Sequence, residues 1–146
     1  MMQIENNNRC FVCGQENPFG FQIKPEVVQN GESVRIECTP PDHFQGWANV
    51  LHGGILSTLL DEAITHVGIA SFEGPAVTAQ LEVRFKNPAP TGDKLIIVAN
   101  RLKMTSRLTE ATAHITLEDG TLIAEGKGKV MKIDRGLRGL RSEEDE

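Results

Sequence analysis

Between Gly54 and about Ala70 the apolar residues Leu56, Leu59, Leu60, Ala63, Ile64 and Val67 recur at steps of three and four, the period of a helix with one buried face. A second stripe on the same stretch, Gly54, Ser57, Thr58, Asp61, Thr65 and Gly68, holds only small side chains and a single carboxylate. Small residues let another backbone or a ligand approach closely, so Asp61 is expected in a crowded, partly buried contact. After the break at Gly74-Pro75 the period changes to two. Ala76 to Lys86, Lys94 to Lys103, Leu108 to Leu117 and Leu122 to Ile133 alternate as strands, separated by the turn-rich Pro-Ala-Pro-Thr-Gly-Asp, Met-Thr-Ser-Arg and Glu-Asp-Gly-Thr. Upstream, Phe19 to Val28, a turn at Asn30-Gly31 and the alternating Ser33 to Cys38 predict a hairpin. Pro40-Pro41 ends it, and Asp42 to Val50, with Gly46 and Trp47, reads as a loop. Hairpin, helix, then strands predict an α+β domain, one long helix against a curved antiparallel sheet of about five to six strands.

With 146 residues the chain fits one domain, divided here into an N-terminal segment over 1–18, the domain proper over 19–133 and a disordered charged tail over 134–146. Hydrophobic and charged contents of 39% and 24% are ordinary for a globular protein, and no apolar stretch is expected to reach bilayer length. The polar start, Met1 to Arg9, lacks the basic and apolar regions of a signal peptide, which predicts a cytoplasmic location. A formal charge of −5 argues against a general affinity for nucleic acid, although the last residues, Ser-Glu-Glu-Asp-Glu146, carry much of the excess. Three cysteines suit a reducing compartment better than a disulfide framework.

The chemistry concentrates at the start of the helix. His52-Gly53-Gly54 opens it, offering unpaired N–H groups and a positive dipole end to an oxygen that gains negative charge. Asp61 lies about two turns further in, placed to serve as base or nucleophile. Each has a plainer reading: the glycines serve a tight turn, His52 fixes the loop by a hydrogen bond, and Asp61 pairs across a subunit contact. Glu62 points around the helix from Asp61 and is read as structural. Cys10 and Cys13 form a C-x-x-C with no second pair and no histidine at finger spacing, so they are read as a packed N-terminal flap, with zinc the lesser alternative.

Three segments carry a family resemblance. They are His52-Gly53-Gly54 followed by Ile-Leu-Ser-Thr-Leu-Leu-Asp61, the run from Val77 to Asp93, and the opening from Cys10 to Gly20. In these the chain resembles hotdog-fold acyl-CoA thioesterases, of the branch that includes the phenylacetate-pathway type and mammalian thioesterase-superfamily members. The resemblance implies that Asp61 attacks the thioester or activates water, and that the Gly53 N–H receives the carbonyl oxygen beside Gly54 at the substrate. It further implies that Thr78 holds the attacking water, brought to the acid from the opposite subunit, that Asn49 lies near the carbonyl, and that His52 positions the loop. Coenzyme A carries phosphates, for which Lys86, Lys103 and Arg107 are candidate contacts. No metal and no cofactor beyond the coenzyme A of the substrate is implied, and the partner is a second copy of the chain in a homodimer or dimer of dimers. A non-catalytic acyl-CoA sensor is the alternative from another class. A hotdog dehydratase, suggested by His43-Phe44-Gln45-Gly46, fails because glutamine replaces proline and Ser57 stands where a glutamate is needed. Phe44, Trp47 and Phe72 are candidate pocket residues, and the acyl group is not legible.

Overall fold

A helix, α1, runs from Gly53 to Phe72, close to the span set by its periodicity, and ends where Glu73 takes a left-handed conformation at φ 53°. The chain is described by a computed structural model over residues 5–133, and the expected charged tail lies outside the described residues. By length and composition α1 is long and apolar enough to cross a bilayer, which corrects the expectation that no stretch reaches that length. Its apolar face is instead taken up by protein: Leu59, Leu60, Ala63, Ile64 and Val67 are fully buried. Each buried leucine or isoleucine is worth roughly 1.5–3 kcal/mol relative to exposure.

The surface that covers α1 is a single sheet of β1 (Glu26–Val28), β2 (Ser33–Cys38), β3 (Ala76–Phe85), β4 (Leu95–Met104), β5 (Leu108–Leu117) and β6 (Leu122–Lys132). Its order is β1-β2-β4-β5-β6-β3, with every neighbouring pair antiparallel. A long helix wrapped by one six-stranded antiparallel sheet is the hotdog arrangement that the resemblance implied.

The first strand is shorter than its alternation suggests, because only Glu26–Val28 joins the ladder. Residues upstream spend their backbone donors elsewhere: Phe21 N–H donates to the Phe11 carbonyl at 2.9 Å and Ile23 N–H to the Val12 carbonyl at 3.0 Å. Val12 is buried in the core, so the N-terminal segment packs as part of the domain.

Helix and sheet meet most closely at Gly68. A Cβ there would lie 2.5 Å from Val130 Cγ1 of β6, closer than real side chains approach. Gly68→Ala is therefore expected to destabilise the fold by about 1–3 kcal/mol, outweighing the gain of about 1 kcal/mol that alanine brings to a helix. Urea unfolding measures this, and a variant as stable as wild type would show that α1 can lift from β6 without cost.

β3 forms one edge of the sheet, and its outer side has no strand partner among the described residues. Its register against β6 shifts between Thr78 and Gln80, a bulge of the kind that re-aims a side chain.

Candidate active site

The helix start is built by His52. Its Nδ1 accepts the Gly54 N–H at 2.9 Å, while its carbonyl accepts the N–H groups of Ile55 and Leu56 at 2.9 and 3.3 Å. Accepting through Nδ1 requires the neutral ring with its proton on Nε2. Of the first donors of the helix, the Gly53 N–H is left without a partner among the described residues. His52→Ala is expected to cost about 1 kcal/mol as a lost cap, and His52→Asn to recover most of it, as thermal melts of the two variants will show.

The loop before the helix is fixed by its backbone. His52 N–H donates to the Phe44 carbonyl at 3.1 Å, Leu51 N–H to Ala89 at 2.9 Å and Gly46 N–H to Val50 at 2.8 Å. Asn49 sits in a left-handed conformation at φ 64°, with its N–H on Gln45 Oε1 at 2.9 Å and its side chain exposed beside the helix start. A groove of about 350 Å³ opens at Gly53, lined by Leu51, Leu56, Phe85, Lys86 and Pro88 as well. The Phe85 ring lies 3.5 Å from where a Gly53 Cβ would stand, and Lys86 Nζ is 3.6 Å from Glu125 Oε1.

Asp61 is half-buried and faces β3. Thr78 Oγ1 donates to its Oδ1 at 2.6 Å, and Thr65 Oγ1 stands 3.1 Å from the same hydroxyl. Burial pushes the Asp61 carboxyl above the ordinary aspartate value, the Thr78 hydrogen bond pulls it down, and the neighbouring Glu62 charge pushes it up again, for a net rise. The resemblance brings Thr78 from the opposite subunit, whereas here it meets the Asp61 of its own chain, aimed there by the bulge that follows it. Thr65 is a member of this cluster that the sequence placed in the small stripe without a role.

These two clusters do not touch. Gly53 and Asp61 are eight residues apart on one helix, roughly 12 Å along its axis. They also lie at opposite ends of β3: Thr78 near its start and Phe85, which covers Gly53, at its finish. The remaining basic candidates divide the same way. Lys86 belongs to the groove at Gly53, while Arg107 lies in the β4–β5 turn, where its carbonyl accepts the Lys132 N–H at 2.9 Å, near the Ala76 end of β3. Lys103 Nζ is 2.8 Å from Glu110 Oε2, and Glu110 in turn pairs across the ladder with Lys129, the partner of Gln80.

The aromatic candidates separate as well. Phe44 stacks on Phe21 with ring centroids 4.3 Å apart, beside a hollow of about 860 Å³ that Phe19 and Arg35 also line, away from Asp61. Trp47 is 84% exposed, and Phe72 lies in the last turn of α1.

Glu62 faces away from Asp61, toward the N-terminal segment. Its carboxylate holds His66 Nε2 at 2.9 Å, and with the thiols of Cys10 and Cys13 it forms the group among the described residues whose donor atoms could hold a metal ion.

Comparison with known proteins agrees with this architecture. The model of the thioesterase superfamily matches residues 48–124, more than half of the chain. Acyl-coenzyme A thioesterase 13 from Mus musculus is 33% identical over 98 residues, covering 66% of this chain and 70% of the mouse protein. Acyl-coenzyme A thioesterase THEM4 from Bos taurus is 28% identical over 128 residues, covering 85% of this chain, which spans about half, 51%, of the cattle protein's length. Among solved structures, zebrafish thioesterase superfamily member 2 superposes with a TM-score of 0.70 at 27% identity, over 80% of this chain and 88% of that one. The PaaI protein of the E. coli phenylacetic acid degradation operon shares the fold at a TM-score of 0.72 and 19% identity, over 81% of this chain and 84% of that one. A helix opened by His52-Gly53-Gly54, a carboxylate two turns into it and the wrapping sheet thus occur in a chain that belongs to the thioesterase superfamily.

Proposed function

We propose that this chain hydrolyses acyl-CoA thioesters to a carboxylic acid and free coenzyme A, at sites that two copies of the chain complete together. The observation that carries the two-chain reading is the separation of Gly53 from Asp61. An oxyanion donor and an attacking oxygen must both lie about 3 Å from one carbonyl group, which a gap of roughly 12 Å along a helix forbids within one chain. Antiparallel pairing of two β3 edges resolves this, because it lays the Thr78 end of one strand against the Phe85 end of the other. Asp61 and Thr78 of one copy then meet Gly53, His52 and Asn49 of its partner. Lys103 and Arg107 arrive with the first group and Lys86 with the second, giving basic side chains of both copies access to the phosphates of coenzyme A.

In this scheme the thioester oxygen accepts the Gly53 N–H at the positive end of α1. Thr78 occupies Oδ1 of Asp61, leaving Oδ2 to supply the attack, directly or by taking a proton from water. When Asp61 acts as base, the water oxygen adds to the carbonyl carbon, the carbon–sulfur bond breaks, and coenzyme A leaves as the thiol with the proton that Asp61 had accepted. When Oδ2 attacks directly, coenzyme A leaves as the thiolate and a mixed anhydride forms, which water cleaves to the carboxylic acid and the Asp61 carboxylate, a proton of that water passing to the thiolate. The reaction uses no cofactor beyond the coenzyme A of the substrate. The free thiols of Cys10, Cys13 and Cys38 fit a reducing, cytoplasmic setting.

The test is thiol release from short-, medium-, long-chain and aryl acyl-CoAs, together with the mass of the particle in solution. Turnover by a dimer or tetramer is the expected result. Binding of acyl-CoA without thiol release across the whole panel would sink the hydrolase and leave a sensor.

A further inference from the structure

We infer that Cys10, Cys13 and Glu62 bind a zinc ion that ties the N-terminal segment to α1. The two thiols share one tight turn, closed by the Gly14 N–H on the Cys10 carbonyl at 2.9 Å. That turn demands glycine after Cys13, since a Cβ on Gly14 would lie 2.4 Å from the Cys10 nitrogen. Within it the Val12 N–H donates to Cys10 Sγ at 3.4 Å, which fixes the direction of that side chain.

The third donor comes from the helix. Glu62 is 9% exposed, and its carboxylate and the two sulfurs all lie within 4.8 Å of one another. Donors around a tetrahedral zinc ion stand roughly 3.5 Å apart, given metal–sulfur and metal–oxygen bonds of about 2.3 and 2.1 Å. The cluster therefore needs only a small contraction to close on the ion. Cys10 lies at the surface, which leaves the fourth position to water.

The donor chemistry argues the same way. Two sulfurs and a buried carboxylate oxygen are of the kinds that zinc takes as ligands, and metal binding displaces the thiol protons as it forms the metal–sulfur bonds. His66, with Nε2 at 2.9 Å from Glu62 Oε1, then acts as the outer partner that orients the carboxylate. A Cys10–Cys13 disulfide would satisfy the sulfurs but leave Glu62 facing an uncharged bridge, which makes the metal the better occupant.

The experiment uses the full chain, reduced and stripped with chelator, titrated with Co²⁺ and then with Zn²⁺. The expected result is a sulfur-to-cobalt charge-transfer band saturating at about one ion per chain, erased by Zn²⁺, with a rise in melting temperature on adding Zn²⁺. Cys13→Ser is expected to abolish the band, Glu62→Gln to weaken binding by at least about tenfold, and His66→Ala by about ten- to a hundredfold. Circular dichroism of each variant reports whether it remains folded. No band in the reduced wild-type chain overturns the proposal, as does unchanged affinity in a folded Glu62→Gln. A Cys10–Cys13 disulfide found by mass spectrometry in the chain as isolated, with no metal uptake after reduction, would replace the zinc site by a redox pair.

Discussion

Asp61→Asn is expected to lower kcat by about a hundred- to ten-thousandfold, the usual contribution of a positioned proton-transfer group, while fold and assembly persist. The substitution keeps the shape of the side chain and an oxygen that can accept from Thr78 Oγ1, now 2.6 Å from Oδ1. What it removes is the capacity to take a proton or to attack. It also removes a charge that burial disfavours, so stability should hold or rise slightly. Thiol release under saturating acyl-CoA, with a melt in parallel, measures both effects. Turnover in Asp61→Asn within a few fold of wild type would strip Asp61 of its part in the reaction and leave it as a structural partner of Thr78.

Gly53→Pro is the second: it removes the backbone N–H and adds a ring whose Cβ would stand in ordinary contact, 3.5 Å, with Phe85. Gly53 is the first residue of α1, its N–H makes no bond among the described residues, and His52 before it has φ −65° and ψ 137°, a conformation that proline accepts in its predecessor. Proline at the first helical position is favoured, so the helix should form normally without that one donor. The expected loss is about a hundred- to a thousandfold in kcat, the scale for one oxyanion donor.

Mixing the two inactive variants then tests the shared site. In a mixed dimer one site has both defects and the other has neither, so random reassembly of equal amounts should restore about a quarter of wild-type activity. No recovery after confirmed subunit exchange would place both groups in one chain's site and refute the two-chain arrangement.

The helix and five of the strands were legible because their periods are unbroken, at 3.6 residues for Leu56 to Val67 and two for Ser33 to Cys38 and the segments from Ala76 onward. The alternation at Phe19, Phe21 and Ile23 misled for a physical reason. Phe21 and Ile23 do turn toward the core, yet their backbone donors pair with Phe11 and Val12 rather than with the sheet, and Phe19 stays 90% exposed. At the site, the His52 cap and the open Gly53 N–H follow from local rules of helix ends, so they could be read directly. The contact of Thr78 with its own Asp61 could not, since it depends on a bulge between Thr78 and Gln80 that no turn residue announces. Nor could the meeting of Glu62 with Cys10 and Cys13: the C-x-x-C spacing offered zinc as an alternative, but the third donor joins only when the N-terminal turn settles on α1.

Because α1 is both the middle of the core and the carrier of Gly53 and Asp61, the groups proposed to react sit on an element anchored by the buried Leu59, Leu60 and Ile64. In the proposed scheme an acyl chain would meet instead the groove beside Gly53, with Phe85, Lys86 and Pro88 at its exposed side. Selection can thus retune which acyl groups are accepted by changing the periphery while the bond-breaking machinery stays fixed. Drift toward a new substrate would then cost little stability, whereas a change of reaction would require rebuilding the core.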